Sequence, residues 1–313
     1  MGGYILRRVG QSVIVLIGVV LVVFILTHLL PGGPRALLNP QASPQVVRQF
    51  YRENGYTKPL IIQFFTYLSN VARGNLGFSY SNNATVTSLL ATALPRTTIL
   101  VGLAYLVGLV VAVPLGAIQA IRRNRIIDHI LSTAALVSYS MPQFWLGMLF
   151  ILYLAIRLRL LPAEGPQGGL LSNPLSLVLP VCTLAAGTFA VFARFVRSSA
   201  IDALVRDYVR TARGKGMSEK RVFLRHVLRN AILPIITLIG LSLPGVISGA
   251  VVVESLFNYP GMGLLFWKAA VTHDYPLLLG FTLVVGVATV TGSLLADILY
   301  GVADPRMRVG GSA

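Results

Sequence analysis

Six long stretches of mainly apolar residues carry no lysine or arginine, and they constrain the fold of this chain more than any other feature. They are Val13–Leu30, Thr97–Ile121, Ile130–Ile156, Leu175–Ala193, Ala231–Val253 and Tyr275–Val302. A helix needs about 20 such residues to cross the hydrocarbon core of a bilayer. The alternation of apolar and polar residues that is typical of transmembrane β-barrels is absent. The sequence therefore predicts an all-α polytopic membrane protein with six transmembrane helices.

Composition excludes the other broad classes of protein. Of the 313 residues, 55% are hydrophobic and only 12% are charged, whereas soluble domains carry about 25% charged residues. A soluble globule of this composition would expose large apolar patches and aggregate, and disordered chains lack apolar residues. Cys182 is the single cysteine, which excludes a disulfide framework and a cysteine-rich metal site.

The basic residues indicate the orientation of the predicted helices. Of the 26 Lys and Arg residues, 17 lie near the two termini, in the turn at 122–125 or in the loop at 194–229, which all fall on one side of a six-helix topology. Cytoplasmic loops of membrane proteins are enriched in Lys and Arg. Both termini are therefore predicted to face the cytoplasm, and the chain is predicted to be a multi-pass protein of the cytoplasmic membrane.

The predicted spans divide the chain into an N-terminal end with the first helix, an exoplasmic subdomain, a five-helix transmembrane domain and a cytoplasmic tail, at 1–30, 31–96, 97–304 and 305–313. Within the exoplasmic part, short helices are expected around Pro44–Tyr51, with Ser43 as N-cap, and around Pro59–Ala72. A second outside loop, Glu254–Asp274, is too apolar to extend freely into water. It is expected to dip into the membrane interface.

Groups that could carry out chemistry are scarce. The sequence has no G-x-x-x-x-G-K-[ST] phosphate-binding loop, no G-x-S-x-G motif and no two histidines at metal-ligand spacing. The ionisable candidates for ion coupling are His28, Glu254 and Asp297, which lie near predicted membrane ends, whereas a proton relay needs groups near the midplane. No catalytic, cofactor or metal residue is assigned. An ion-coupled secondary transporter or channel acting alone stays open as an alternative, and a membrane-bound enzyme is disfavoured.

The loop at 194–230 is the only long predicted cytoplasmic element, and its pattern predicts two helices joined by a turn. The first helix is expected to run to about Lys215. One of its faces is basic and carries Arg206, Arg210 and Arg213. Another face is apolar or small and carries Val205, Val209 and Ala212.

The turn and the second helix have their own signals. Gly216 stands where a left-handed residue ends a helix, Ser218 suits the next N-cap, and Glu219 complements the dipole of the new first turn. The inward positions of the second helix are predicted to be Val222, Phe223 and Val227. Its outward positions are predicted to be Arg221, Arg225 and Arg229.

Three functions compete for this loop: contact with anionic lipids, binding of nucleic acid, and docking of a cytoplasmic partner. Lipid contact explains the charge. It does not explain the helix–glycine–helix order, Tyr208, or the small residues Thr211 and Ala212, which permit close approach. Nucleic-acid binding is disfavoured in a polytopic membrane protein. Docking of a partner is therefore the favoured function.

The loop resembles the cytoplasmic loop of bacterial ABC importer permeases, whose shared motif is E-A-A-x-x-x-G followed at a distance by I-x-L-P. Aligned on the glycine, Arg210-Thr211-Ala212 occupies the E-A-A positions and Gly216 is the motif glycine. Arg210 replaces the motif glutamate and Arg229 replaces the proline, a variant that resembles the dipeptide/oligopeptide/nickel branch. A salt bridge attributed to the motif glutamate is therefore not carried over.

Other stretches resemble the same branch along nearly the whole chain. They are Tyr4–Arg8, Leu29–Pro34, Gly74–Ser79, Val253–Gly263, Asp274–Pro276 and Asp304–Arg306. Gly33 stands where the branch usually has Asp. The order and spacing of these motifs together are specific, and the match is most similar to the first, or B-type, of the branch's two permeases.

This resemblance implies the type I ABC importer transmembrane-domain architecture and the function of a permease subunit that translocates di- or oligopeptides. It implies a second homologous permease, two ATP-binding subunits and an exoplasmic solute-binding protein as partners within the lipid bilayer and on its two sides. ATP would be used by the partners, with no cofactor and no nucleic acid bound by this chain. Nickel complexes and glutathione stay open as alternative solutes.

The resemblance also implies site residues. The helix that couples the chain to the ATPase is expected to use Asp207, Tyr208, Arg210, Thr211, Ala212, Arg213, Lys215 and Gly216. Of these, Tyr208 and Ala212 are expected to pack into a cleft of the ATPase, and the arginines to meet acidic groups. A gate or docking site for the binding protein is expected at Glu254, Phe257, Pro260 and Gly261, and a packed structural loop stays open as the alternative. Bends of the helices are expected at Pro142, Pro180 and Pro244.

Overall fold

The computed structural model describes residues 2–29, 43–53, 55–168, 172–232, 235, 238 and 250–303, and this part of the chain is almost entirely helical. The α-helices are α1 (Gly2–Leu29), α2 (Pro44–Glu53), α3 (Leu60–Ala72), α4 (Val86–Ile121), α5 (Ile126–Ser140), α6 (Gln143–Phe150), α7 (Val178–Leu204), α8 (Asp207–Gly214), α9 (Glu219–Val222), α10 (Arg229–Ala231), α11 (Val251–Leu256), α12 (Met262–Val271) and α13 (Tyr275–Ala303). A 3₁₀ turn at Pro174–Leu177 precedes α7. A π-helical turn at Ile151–Arg157 follows α6, and another at Phe223–Leu228 follows α9. Two short strands, β1 (Phe78–Ser79) and β2 (Ala84–Thr85), pair antiparallel.

The helices that could cross a membrane confirm the all-α prediction for the described residues. Three of them are long and apolar enough, within Val86–Ile121, Pro174–Leu204 and Tyr275–Ser293, and a bent helix pair makes up to four. The first predicted span is helical, with a shorter apolar stretch at Gly10–Leu26. Most of the predicted span Ala231–Val253, including Pro244, lies outside the described residues. The total of six spans therefore stays a prediction.

The third predicted span, Ile130–Ile156, is wrong as a single helix. It consists of α5 and the helix that follows from Gln143, and the two are bent by 101° at their break. Pro142 lacks an N–H and disfavours the helical conformation of the residue before it, and Met141 is extended, with φ −72° and ψ 128°. The bend predicted at Pro142 is thus confirmed. Pro180 lies in the first turn of the continuous helix α7, where N–H groups have no intrahelical partner.

The two short helices predicted in the exoplasmic part are confirmed as α2 and α3. At the start of α2, the hydroxyl of Ser43 accepts the backbone N–H of Val46 at 3.4 Å, and its carbonyl accepts that of Val47 at 3.1 Å. Ser43 therefore occupies the predicted N-cap position, and Pro44 takes the first helical position, where its missing N–H costs nothing.

The chain divides into two compact units, of which the first comprises 1–97, 247–251 and 260–291. One core cluster of this unit brings residues of α4 together with residues of α12 and α13, among them Val86, Leu90, Met262, Leu277 and Phe281. A second cluster joins α1 to α3 through Val20, Phe24 and Phe64. The segments at 2–29 and 60–72 are therefore packed together by apolar contacts.

Two of the motifs that carry the family resemblance meet in this unit. The hydroxyl of Ser79, in the Gly74–Ser79 motif, donates to Oδ2 of Asp274, in the Asp274–Pro276 motif. The other carboxylate oxygen accepts the N–H of Leu277 at 3.3 Å, so that Asp274 caps α13. Ser79 and Asp274 are both fully buried, and a buried carboxylate is tolerated because it receives such donors.

The second unit comprises 98–246, 252–259 and 292–313, and it contains the loop at 194–230. Within it, α4 and α7 approach closely at a glycine. A Cβ added to Gly116 would lie 2.6 Å from the carbonyl oxygen of Ala193 and 2.7 Å from Cβ of Val196. Small residues at helix interfaces allow this kind of backbone approach in membrane proteins.

The segment Glu254–Asp274 is mainly helical, and its expected position in the membrane interface stays a prediction. Its first residues belong to α11 and residues 262–271 form α12. In the second unit, Phe257 and Tyr259 are fully buried, and the carbonyl of Phe257 accepts the N–H of Gly165 at 2.7 Å. The short turn after α11 is thus a packed part of the fold.

We predict that Gly116→Ala destabilises the protein and that Gly102→Ala, in the same helix, does not. A methyl group at 116 meets backbone that cannot yield without moving α7, and such overpacking costs about 1–3 kcal/mol. The position of a Cβ at 102 has no atom within 4 Å. Thermal unfolding of the two purified variants in detergent measures the difference. Equal melting temperatures would contradict the close approach of α4 and α7.

Candidate functional site

Helix α8, which contains most of the residues predicted to couple the chain to an ATPase, is separated from α7 by a two-residue break. Helix α7 ends at Leu204, and Arg206 is extended, with φ −76° and ψ 150°. The backbone N–H groups of Val209 and Arg210 return to the carbonyl of Arg206, at 3.0 and 3.3 Å. The break changes the direction of the chain, so that α8 starts as a separate helix at Asp207, the first residue of the sequence-predicted coupling segment.

The end of α8 confirms the role predicted for Gly216. This residue has φ +74°, in the left-handed region that favours glycine. Its N–H donates to the carbonyl of Arg213 at 2.9 Å, and the N–H of Met217 donates to that of Ala212 at 3.4 Å. This is the paired hydrogen-bond pattern of a Schellman motif, and Met217 packs against the cluster that contains Ala212. The turn is therefore closed by backbone bonds and by an apolar contact.

One face of α8 is held by the ends of the long helices. Val209 and Ala212 belong to a core cluster with residues from α4, from α7 and from the second helix of the loop, which are Ala117, Ala120, Ala200, Ala203, Val222, Phe223, Val227 and Ala231. Val209 is fully buried, and burying a valine side chain contributes about 1.5–3 kcal/mol. Helix α8 is therefore packed against α4 and α7 and is not part of a free loop.

The structure corrects two details of the predicted faces. Ala212 is only 4% exposed, so in this conformation it packs inside the chain and does not present itself to a partner's cleft. Val205 was expected beside Val209 but is 70% exposed. The reason is that Val205 and Arg206 lie in the break before α8, outside the helical register on which the prediction relied.

The second helix of the loop agrees with the prediction. Its inward residues Val222, Phe223 and Val227 are buried, and its outward residues Arg221, Arg225 and Arg229 are exposed. Ser218 occupies the N-cap position, although its side chain makes no capping hydrogen bond. The helix continues through the π-helical turn to Ala231.

An ion pair joins the two helices across the turn. Arg213 donates from Nε and Nη2 to the two carboxylate oxygens of Glu219, at 2.8 and 3.1 Å. The hydrogen bonds from Arg213 lower the pKa of Glu219 below its ordinary value of 4.5. The pair therefore supports the turn above the ordinary titration range of the carboxyl group, and this support is lost as the pH falls through the lowered pKa. Arg213 thus meets an acidic group of its own chain.

The outer face of α8 is free for a partner. Asp207, Arg210 and Thr211 are exposed, Tyr208 is 41% exposed, and Lys215 extends from the C-cap. Arg210 lies 3.8 Å from Asp207, but both side chains stand in solvent and such a pair contributes little. From Asp207 to Arg229 the chain has seven basic and two acidic residues. The exposed face therefore suits an acidic surface that can receive one aromatic side chain.

A buried ion pair near this site was not predicted. Arg197 of α7 donates from Nε and Nη2 to the two carboxylate oxygens of Asp128 in α5, each at 2.8 Å. The N–H of Asn124 adds a bond to Oδ2 at 2.9 Å. Asp128 is 1% exposed, and such a carboxylate needs these partners. Its signal in the sequence was a lone acidic residue beside three arginines at 122–125, at the start of an apolar span.

The other predicted site residues lie apart from this loop. Glu254 and Phe257 are fully buried, so their side chains are not exposed to a docking protein in this structure, and the gate or docking role stays a prediction. The carbonyl of Pro260 accepts a bond from Arg96 at 3.4 Å, and Gly261 is buried before α12. Sequence reasoning had left a packed structural segment open as the alternative, and burial supports that alternative.

His28 and Asp297 are the other two residues that the sequence offered as candidates for ion coupling. His28 contacts the carbonyl of Phe24 at 2.7 Å and Oε1 of Gln63 at 3.3 Å. The backbone of Asp297 belongs to α13, whereas its side chain lies outside the described residues. The motifs at 30–34 and 304–306 and the tail at 305–313 lie outside them as well.

The chain matches a family of membrane transport proteins, which agrees with its long apolar helices and with the short helix α8 packed against them. Residues 112–309 match the model of the "Binding-protein-dependent transport system inner membrane component", and residues 1–101 match the N-terminal model of the same system. The chain belongs to this family. It is therefore an inner-membrane transport component, as the resemblance predicted.

Named relatives match over nearly their whole length. The chain is 35% identical to the oligopeptide transport system permease protein AppB of Bacillus subtilis, over 98% of this chain and 99% of AppB. It is 34% identical to the dipeptide transport system permease protein DppB of Escherichia coli, over 97% and 98% of the two chains. It is 35% identical to the oligopeptide transport system permease protein OppB of Haemophilus influenzae, over 97% and 99%.

A solved structure shares the fold. The crystal structure of an amino acid ABC transporter with histidines superimposes with a TM-score of 0.52 and covers 68% of this chain and 92% of that chain. The sequence identity is 20%, so this likeness concerns the fold alone.

We predict that Gly216→Val abolishes transport and leaves membrane insertion intact, whereas Gly216→Asn retains most of the transport rate. A Cβ at 216 would meet no atom within 4 Å, so the restriction is the dihedral angle and not space. Left-handed backbone costs most residues about 1–2 kcal/mol, and asparagine tolerates it best after glycine. Uptake by proteoliposomes containing the assembled transporter measures the effect. Gly214→Ala is the matched control, because position 214 is helical and also open. Normal uptake by Gly216→Val would refute the role of this turn.

Proposed function

We propose that this chain is one permease subunit of an ATP-driven ABC importer of peptides, and that α8 couples it to an ATP-hydrolysing subunit. The observation that carries the coupling role is the division of α8 into two faces. Val209 and Ala212 attach it to the ends of α4 and α7, while Tyr208, Arg210 and Thr211 are exposed. Displacement of the exposed face by a partner is therefore transmitted to the long helices without passing through a flexible linker.

The proposed partners follow from what the chain lacks and from its family. The sequence has no phosphate-binding loop, so ATP is hydrolysed by two partner subunits, and this chain is not itself an enzyme. A second, homologous permease completes the pore, and an exoplasmic binding protein delivers the solute, which agrees with the description of the family as binding-protein-dependent. The mechanism is alternating access driven by closure of the ATPase pair.

Peptides are the proposed solutes because of the named relatives. AppB and OppB are oligopeptide permeases by name, and DppB is a dipeptide permease by name. Each covers almost the full length of the chain, so the comparison includes the exoplasmic part as well as the helices. Nickel complexes and glutathione, the alternatives from the sequence, would be recognised first by the binding protein. Binding assays on that protein therefore decide the solute.

We predict that Tyr208→Ala uncouples ATP hydrolysis from uptake. Loss of a central aromatic contact at an interface costs about 2 kcal/mol of binding free energy, and Tyr208 is the aromatic residue on the exposed face of α8. The folded chain loses little, because the side chain is partly in solvent. Uptake of a labelled dipeptide and ATP hydrolysis are measured on the reconstituted transporter. Tyr153→Ala removes an exposed tyrosine from another element and serves as control. If both variants transport alike, α8 is not the coupling helix.

The six-helix topology with cytoplasmic termini is part of the proposal and has its own prediction. Replacing Cys182, the single cysteine, by alanine gives a background without thiols. In that background a cysteine at the exposed position Ser81 reacts with an impermeant maleimide in spheroplasts. A cysteine at the exposed position Ser218 reacts only after permeabilisation. Labelling of both positions from the same side would overturn the topology.

A further inference from the structure

A cavity of about 630 Å³ lies between three helices of the second unit, beside the buried ion pair. It opens between the last turn of α4, the middle and later part of α5 and the later half of α7. Its polar lining includes Gln119, Ser132, Arg194, Arg197 and Ser198. None of these residues belongs to the core cluster that holds α8. The cavity is therefore a separate feature of the unit.

One buried polar atom of this cavity, the side-chain oxygen of Gln119, accepts no hydrogen bond. Gln119 is 3% exposed, and its Nε2 donates to the hydroxyl of Ser132 at 3.1 Å. Ser132 in turn donates to Asp128 at 3.4 Å, which fixes the orientation of the amide. The Oε1 atom of Gln119 is buried and accepts no hydrogen bond. An unsatisfied buried acceptor costs about 1–3 kcal/mol, so this position calls for a ligand with an O–H or N–H donor.

The charge at the mouth of the cavity is positive. Arg197 is neutralised by Asp128 through the two hydrogen bonds described above. Arg194 is exposed and makes no ion pair with any residue that the structure describes. One net positive charge, that of Arg194, therefore faces a ligand. A ligand with a single anionic group matches this charge.

The rest of the lining is apolar and opens outward. Leu136, Tyr139 and Phe195 line the cavity and are exposed large side chains. Basic pockets between transmembrane helices near the cytoplasmic surface bind anionic lipid headgroups. An acyl chain would cover the exposed apolar side chains, which a free anion would leave in contact with water. The shape and chemistry thus suit an amphiphile held at the cytoplasmic ends of the helices, an orientation that rests on the proposed topology.

We propose that this cavity binds one phospholipid whose headgroup carries both a single phosphodiester charge and a hydroxyl group, as in phosphatidylglycerol. The phosphate binds at Arg194, the headgroup hydroxyl donates to Oε1 of Gln119, and the acyl chains lie along Leu136, Tyr139 and Phe195. The bound lipid joins α4, α5 and α7 next to the Asp128–Arg197 pair. This one ligand pairs with the charge of Arg194, donates to the buried oxygen of Gln119 and covers the apolar lining.

The test compares two lipids of equal charge that differ in the donor. Phosphatidylglycerol and phosphatidylmethanol each carry one phosphodiester, but the second has no headgroup hydroxyl. Native mass spectrometry of the assembled transporter, titrated with each lipid, should show about fivefold tighter binding of phosphatidylglycerol, which corresponds to about 1 kcal/mol. Gln119→Met should abolish this preference while the remaining affinity for both lipids is kept. Arg194→Gln should weaken both lipids by about fivefold.

Matched controls keep the proposal falsifiable. Arg123→Gln removes the same charge from the exposed turn at 122–125 and should leave binding unchanged. Equal binding of the two lipids by the unmodified transporter, or equal effects of Arg194→Gln and Arg123→Gln, overturns the proposal. So does displacement of the lipid by a dipeptide, which would make the cavity a peptide site, and so does failure of lipid to bind because the second permease covers the cavity. None of these outcomes affects the coupling role of α8, which the Tyr208→Ala experiment tests separately.

Discussion

The close approach of α4 and α7 is the contact on which the rest of the second unit depends. Gly108 and Gly116 leave no room for a side chain, since an added Cβ would lie 2.5 Å from Oγ1 of Thr188 in one case and 2.6 Å from the carbonyl of Ala193 in the other. Towards the end of both helices the contact continues through alanines, at positions 117, 120, 200 and 203. Lipid tails are as apolar as leucine, so helices in a bilayer gain by close packing of small residues. The packed ends of α4 and α7 form the surface that α8 contacts, and we call this surface the platform.

Helix α8 is short, and its rigidity comes from its surroundings. An isolated helix of eight residues is not stable in water. Here Val209 and Ala212 are buried on the platform, the Schellman motif at Gly216 closes the end, and the Arg213–Glu219 pair bridges the turn. Each of these interactions fixes a different part of the loop. A partner that moved the exposed face would therefore move α4 and α7 with it, as the proposed coupling role requires.

Local patterns in the sequence predicted the local features well. The helical spacing of Val209, Val222 and Val227 indicated their burial, and Gly216 was recognised because only its residue type fits the left-handed position. Pro142 indicated the break, but not the angle of 101° between the helices. Val205 was misplaced because a two-residue interruption of a helix leaves no strong signal in composition. Boundaries within a continuous amphipathic segment are decided by tertiary packing, which spacing alone does not contain.

The features that could not be predicted join residues far apart in the chain. Ser79 and Asp274 are separated by 195 positions, and Asp128 and Arg197 by 69. The second pair has a consequence for biosynthesis. Because the chain is made from its N-terminus, the carboxylate at the start of α5 enters the bilayer surface well before its arginine is synthesised. It must remain hydrated at that stage, and it can be dehydrated only when α7 arrives. Burial of this carboxylate therefore marks the moment at which α7 has packed against α5 in the correct place.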